Sequence, residues 1–288
     1  MKKAFLQLHI AVFLAGFTAI MGKLIVLNEG FLVWYRLLIS VLIIGVVLRI
    51  KRQLIKISFS DFKRISFVGF ILAFHWVTFY GSVKYANASV AVICISAAGF
   101  FSAIIEPLIF KAKFIWAELG LGLLALFGIY IIFDFHPQFK LGVFLGIVSA
   151  LGSAAFPMFN KKLLDEFSPK VLTFYEFLGA LIGLSCCLPF YFFSHQANVL
   201  PSPSDWMWLL ILSIFCTVTA FDLQLNALKK ISAFTSNLTY NLEPLYGIVL
   251  AFIFFKENRD LQPQFYLGLF LILLAVGLQM TRVIKMRK

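Results

Sequence analysis

The sequence predicts an all-α polytopic membrane protein whose ten transmembrane helices form two inverted five-helix repeats. Three observations carry that expectation. The 288-residue chain is 61% hydrophobic and only 13% charged, about half the roughly 25% charge of a soluble domain. Ten apolar runs alternate with short connectors, none able to hold a soluble domain. Segments in the two halves also align with each other at an offset of about 145 residues.

The runs cover approximately 4–27, 31–49, 65–83, 88–110, 114–134, 141–160, 171–193, 206–228, 232–255 and 264–281. Each is close to the roughly 20 residues that cross a bilayer as a helix. The first follows Met1-Lys2-Lys3 and reaches Val26. It is too long for a signal-peptide core and lacks a cleavage flank, so it is expected to persist as the first helix. The basic residues set the orientation. With the N-terminus in the cytoplasm, only Lys84, Lys140, Lys256 and Arg259 fall on the outer side, Lys23 and Arg36 lie inside or at the edge of spans, and all other Lys and Arg residues are cytoplasmic. This bias predicts a multi-pass protein of the plasma (inner) membrane with both termini cytoplasmic. The net charge of +12 sits in short tags between apolar runs. Such tags suit a lipid-bilayer surface, and their dispersal argues against a nucleic-acid partner. Cys94, Cys186, Cys187 and Cys216 all fall inside spans and form no CxxC pair, so they read as small core residues.

The internal repeat is local and specific. GSVKYANASV (81–90) aligns with NALKKISAFT (226–235), and the same offset of 145 pairs Lys111 with Lys256. FLVWYR (31–36) aligns with VLTFYE (171–176) at an offset of 140. The chain thereby divides into residues 1–136 and 137–288, with five spans each. An odd number makes the second half enter from the opposite side.

The segment Asn226-Ala227-Leu228-Lys229-Lys230-Ile231-Ser232-Ala233, then Pro244, Glu257, Gly268 and Gly277, together with the doubling, resembles the drug/metabolite transporter superfamily in its EamA-type branch. The resemblance covers nearly the whole chain. It implies a ten-helix bundle with a central cavity that moves small metabolites by alternating access, often outward. The first half departs from the pattern, with Gly99 in place of Pro244 and Ala112 in place of Glu257.

The most polar span is SAFTSNLTYNLEPLYGIVLAFIFFK (232–256). Asn237, Tyr240, Asn241 and Glu243 precede Pro244 there, a load no lipid-facing helix carries, because a charge at mid-depth costs at least about 2.5 kcal/mol. Pro244 removes a backbone hydrogen bond, and broken polar helices at mid-depth line transporter sites. Gly99 occupies the matching place in the fourth span, where Ser89, Ser96, Ser102, Ala103 and Glu106 share its arc. An intramembrane carboxyl such as Glu243 is a candidate proton carrier or cation ligand, and His75 a candidate relay. Trp76 and Tyr80 suit packing on a ring or a cation. Arg36 and Glu176 are repeat-equivalent candidates for a substrate carboxylate and a substrate amine. Packing between helices is the competing role for each of these residues. Lys23 is expected to snorkel to the outer surface. Asp222, Gln224 and Asn226 fit an inner mouth.

GFTAIMGK (16–23) has five residues between its glycines and is followed by Leu24, so it is not a phosphate-binding loop. Neither HExxH, GxSxG nor a paired Cys/His metal spacing occurs. The expected protein is a secondary transporter without cofactor or metal, not an enzyme, acting as a monomer or homodimer. It would export a small-molecule substrate such as an amino acid, with protons as a candidate coupling ion. A proton-coupled exporter of cationic drugs, a lipid-modifying membrane enzyme and a passive channel are the alternatives.

Overall fold

The computed structural model describes residues 2–134, 137–195, 199–231, 233–240, 242–259 and 262–286. These form ten helical segments. They are α1 (Lys2–Leu24), α2 (Glu29–Ile50), α3 (Phe59–Tyr85), α4 in two halves (Ala88–Ile95 and Ala98–Phe110), α5 (Trp116–Asp134), α6 (Lys140–Leu163), α7 (Pro169–His195), α8 (Pro203–Leu228, with a π-helical turn at Ile214–Thr219), α9 in two halves (Ala233–Tyr240 and Glu243–Phe255) and α10 (Pro263–Met286). Eight are long and apolar enough to cross a membrane, and two shorter apolar helices, Trp116–Ile132 and Glu243–Phe255, complete the set. The protein is a multi-pass membrane protein of two five-helix repeats. Below, the face carrying the start of α1 is the terminal face and the opposite one the far face.

Helix starts follow from the local sequence. Asn28, Ser58 and Asn87 each accept a backbone N–H of the first turn of α2, α3 and α4, the usual role of a short polar side chain there. Ser202 and Asp205 form a reciprocal capping box at α8, with Pro203 next to the cap.

The two broken helices repeat each other. The halves of α4 and α9 begin and end at positions separated by 145 residues: Ala88 and Ala233, Ile95 and Tyr240, Ala98 and Glu243, Phe110 and Phe255. Each second half ends on a left-handed lysine, Lys111 at φ 52° and Lys256 at φ 55°. Packing repeats as well. α1 lies on α8 and the second half of α9, as α6 lies on α3 and the second half of α4. The first half of α4 crosses the second half of α9, while α5 pairs with α10.

Aromatic side chains Trp76, Phe177 and Phe221 pack edge-to-face in the core with centroids 5.0–5.7 Å apart. Outside, Phe67, Phe70, Phe127 and Phe270 are exposed, an apolar rim that a bilayer covers. On the terminal face Arg64 reaches Glu166 at 2.6 and 2.9 Å and Asp61 at 3.1 Å. The guanidinium holds the Glu166 carboxyl below its ordinary value of 4.5, so this clasp is complete at neutral pH and opens only as pH falls below that range.

The α5–α10 seam is the tightest backbone approach of the two repeats' last helices. A Cβ at Gly268 would fall on the Gly128 carbonyl and lie 2.6 Å from Ile132 Cγ1. Gly268→Val should therefore force the helices apart and cost about 1–3 kcal/mol, read as a lower unfolding temperature of the detergent-purified protein. Gly277→Ala, where a Cβ meets nothing within 4 Å, should leave it unchanged or raise it by up to about 1 kcal/mol of helix propensity.

Candidate functional site

A cavity of about 70 Å³ opens at the centre of the bundle, space for several waters where one needs about 10–15 Å³. Seven helices line it. α3 contributes Leu72, His75, Trp76 and Phe79; α6 Ser153, Phe156 and Pro157; α8 Cys216, Ala220, Phe221 and Gln224. Ala15 and Thr18 come from α1, Arg36 from α2, Ile95 and Ala98 from α4, and Tyr240 and Glu243 from α9. The last four are the residues flanking the two helix breaks, and they are repeat-equivalent pairs. Ile95 matches Tyr240 and Ala98 matches Glu243, so the first repeat gives the cavity apolar groups and the second gives it polar ones.

Arg36 is 2% exposed. Its Nε donates to Thr217 Oγ1 at 2.7 Å, one terminal nitrogen to the Tyr80 hydroxyl at 2.9 Å and the other to the Cys216 carbonyl at 3.2 Å. The guanidinium lies 3.6 Å from the centroid of the Trp76 ring, a cation–π stack. The π-helical turn of α8 makes this arrangement possible. Thr217 and Thr219 bond carbonyls five residues back, at Leu212 and Ile214, and the widened turn presents Cys216 and Thr217 to the cation. Such turns recur at functional sites.

Glu243 opens the second half of α9 and is 8% exposed. Among the described residues its carboxylate makes no hydrogen bond and no ion pair within 4.0 Å. Its place in a first helical turn suits a negative group, because the N-terminal end of the helix dipole is positive. Pro244 follows in that same turn, where a missing N–H costs no intrahelical bond.

His75 faces the cavity while its Nδ1 donates to the Ser149 carbonyl at 2.8 Å. Ser149 Oγ returns a bond to the His75 carbonyl at 2.9 Å. Nδ1 is thus held by α6, and the other edge of the ring is left for the cavity.

Five sequence candidates therefore meet in one place: Arg36, His75, Trp76, Tyr240 and Glu243. Tyr80 holds Arg36 from outside the lining. Trp76 stacks on a cation, as its type suggested, and the cation is the protein's own. Glu176 is not among the lining residues. It is fully buried on α7 next to Asn160 of α6, and neither side chain makes a well-formed hydrogen bond. The side chain of Asn237 and all of Asn241 lie outside the described residues. Gly99 is not itself the break in α4, which falls at Ser96 and Ala97; Gly99 belongs to the first turn of the second half.

Sequence reasoning did not find Thr18, Ser153, Phe156, Pro157, Cys216, Thr217 or Phe221. Pro157 was the available signal. It stands inside α6 and deprives the Ser153 carbonyl of its helical donor.

The EamA-like transporter family matches residues 2–134 and again residues 140–281. The chain belongs to this family. It is 28% identical over 273 residues to an uncharacterized transporter of Haemophilus influenzae, covering 88% of this chain and 86% of that one. It is 27% identical over 126 residues to the uncharacterized transporter YetK of Bacillus subtilis, 43% of this chain and 37% of that one. A protein crystal structure superposes over 100% of both chains with a TM-score of 0.70 at 14% identity, a likeness that speaks for the fold alone.

Removing one partner of the buried guanidinium tests its network. Tyr80→Phe deletes a hydrogen bond to a charged group, a loss of about 1.5–3 kcal/mol. The thermal midpoint of the purified transporter should fall accordingly, whereas Tyr130→Phe on the exposed surface of α5 should leave it in place.

Proposed function

We propose that this EamA-family transporter is a secondary exporter of small organic metabolites such as amino acids. It would act in the inner membrane by alternating access, with both termini cytoplasmic and the repeats dividing at residues 136 and 137. The observation that carries the reading is the meeting of Arg36 and Glu243, whose carboxylate makes no hydrogen bond among the described residues, in one central cavity at the two helix breaks. Three of the five guanidinium N–H groups are engaged, which leaves two for a solute. An amino acid offers a carboxylate to Arg36 and an amine to Glu243, and its side chain meets Phe79, Phe156 and Phe221. Rocking of the two halves around this site exposes it to each face in turn.

Glu243 and His75 are the candidate proton carriers. In vesicles containing the purified protein, uptake or release of a transported amino acid should depend on pH, and Glu243→Gln should flatten that dependence. Transport with an unaltered pH profile in both Glu243→Gln and His75→Ala would exclude proton coupling through these groups. The unpaired carboxylate beside aromatic walls also favours a second reading, a proton-coupled exporter of cationic drugs. Cells overproducing the transporter would then tolerate cationic dyes while excreting no additional amino acids.

A further inference from the structure

At the far face one carboxylate joins three helices. Glu257, just after α9, is 3% exposed. Its Oε1 accepts from Lys23 Nζ at the end of α1 at 2.7 Å and from the Ala88 amide at 3.3 Å. Its Oε2 accepts from the Ser89 amide at 2.9 Å and the Ser89 hydroxyl at 2.6 Å. One side chain thereby joins α1, α9 and the N-terminus of α4. The Lys23 ammonium also lies 4.5 Å over the Phe255 ring. Lys23 is exposed at the far-face end of α1, and its ammonium belongs to this clasp. The neighbouring α1–α2 connector is pinned on the same face, where Lys84 donates to the Ile25 carbonyl at 2.8 Å and Asp205 accepts from the Val26 amide at 2.7 Å.

The inverted repeat supplies most of the same parts at the terminal face. Lys162, in the last turn of α6, lies 5.7 Å over the Phe110 ring. Phe110 and Phe255 end equivalent half-helices, and each is followed by a left-handed lysine. The next residue is Glu257 in the second repeat and Ala112 in the first, and the counterpart of Ser89 is Phe234. The cation and the ring are duplicated; the carboxylate that bridges three helices is not. The lining of the cavity leans the same way. It reaches Gln224, four residues before the end of α8 at the terminal face. Towards the far face it comes no nearer than Thr18 and Phe79, each six residues before the end of its helix.

We infer that Glu257 is a positioning residue that sets the resting state of the transporter, latching three helices at the far face, while Ala112 adds no such latch to the terminal-face contacts of Arg64 with Glu166 and of Lys161 with the Leu228 carbonyl. The inference rests on alternating access and goes beyond it: the asymmetry between the repeats at this one pair of positions decides which face is closed in the absence of substrate. The latch acts by joining helices and touches no solute.

The test needs no substrate, so its outcome is separate from that of the transport reading. A single reporter, Ser153→Cys, is placed on the cavity wall in a protein whose four natural cysteines are replaced. It is labelled with a membrane-impermeant maleimide in vesicles of both orientations, sorted by protease access to a C-terminal tag. With Glu257 intact, labelling should be faster from the terminal face. Glu257→Gln and Lys23→Gln should each shift the ratio of the two rates toward the far face by about tenfold, within the range of ordinary conformational couplings, and Glu257→Asp should restore part of the bias. Ala112→Glu, which leaves Glu257 in place, should shift the ratio in the same direction by bridging Lys162. A variant that only loosened the fold would speed labelling from both faces and leave the ratio alone. An unchanged ratio in Lys23→Gln and Ala112→Glu would overturn the inference even if Glu257→Gln failed to fold.

Discussion

A guanidinium inside the apolar core is the constraint around which the rest is arranged. A cationic side chain at the centre of a bilayer costs at least about 2.5–3.5 kcal/mol even on the gentlest scale. Arg36 is tolerated because two neighbouring helices converge on it. Tyr80 and Trp76 come from α3, and Thr217 and the Cys216 carbonyl come from α8. A regular α8 would commit that carbonyl to its own helix. The π turn at Ile214–Thr219 is therefore part of the same solution, with Ser213 Oγ donating to the Arg36 carbonyl at 3.3 Å as well. The helix positions, the widened turn and the ring stack are all consequences of keeping one charge in place.

The two repeats supply the scaffold by being alike and the chemistry by being different. Their broken helices share boundaries to the residue, and their second halves end on the same strained lysine. At the break, however, Ile95 and Ala98 face Tyr240 and Glu243 across the pseudo-symmetry. At the helix end, Ala112 stands where the other repeat has Glu257. The shared boundaries give the two repeats one scaffold, and the unlike residues at matching positions give the cavity its polar groups and the far face its clasp.

Much of this was legible in the sequence, for identifiable reasons. Span length and the lysine pattern reflect the bilayer itself, so ten helices could be read without any tertiary information. The offset of 145 located both breaks within a few residues, although it assigned them to Gly99 and Pro244, which lie in the first turns of the two second halves. Polar residues stand out against an apolar background, which is why Arg36, His75, Trp76, Tyr240 and Glu243 were noticed. What stayed hidden were partnerships. Lys23 and Glu257 are 234 residues apart, and Arg36 and Thr217 are 181 apart. No local pattern encodes such pairs. The hidden cavity walls, Phe156 and Phe221, are single aromatic residues in a chain with 35 phenylalanines, so composition gave them no contrast. Glu176 illustrates the reverse error of inference: repeat equivalence with Arg36 places it at a matching depth, yet only Arg36 reaches the cavity, because the pseudo-symmetric mate of a polar residue need not share its partners.

The central carboxylate and the far-face clasp lie near the two ends of one rigid piece. The second half of α9 runs from Glu243 to Phe255, and Glu257 follows two residues later. At 1.5 Å per residue this half-helix is about 20 Å long. The half-helix contains neither proline beyond its first turn nor a widened turn, two usual causes of a kink. The first half of the helix has already ended at Tyr240, before Glu243 opens the second. Through this half-helix the carboxyl at the cavity is joined to the chain segment that meets Lys23 and Ser89. The break in α9 therefore puts a carboxyl at the cavity on the same half-helix that ends beside the far-face clasp.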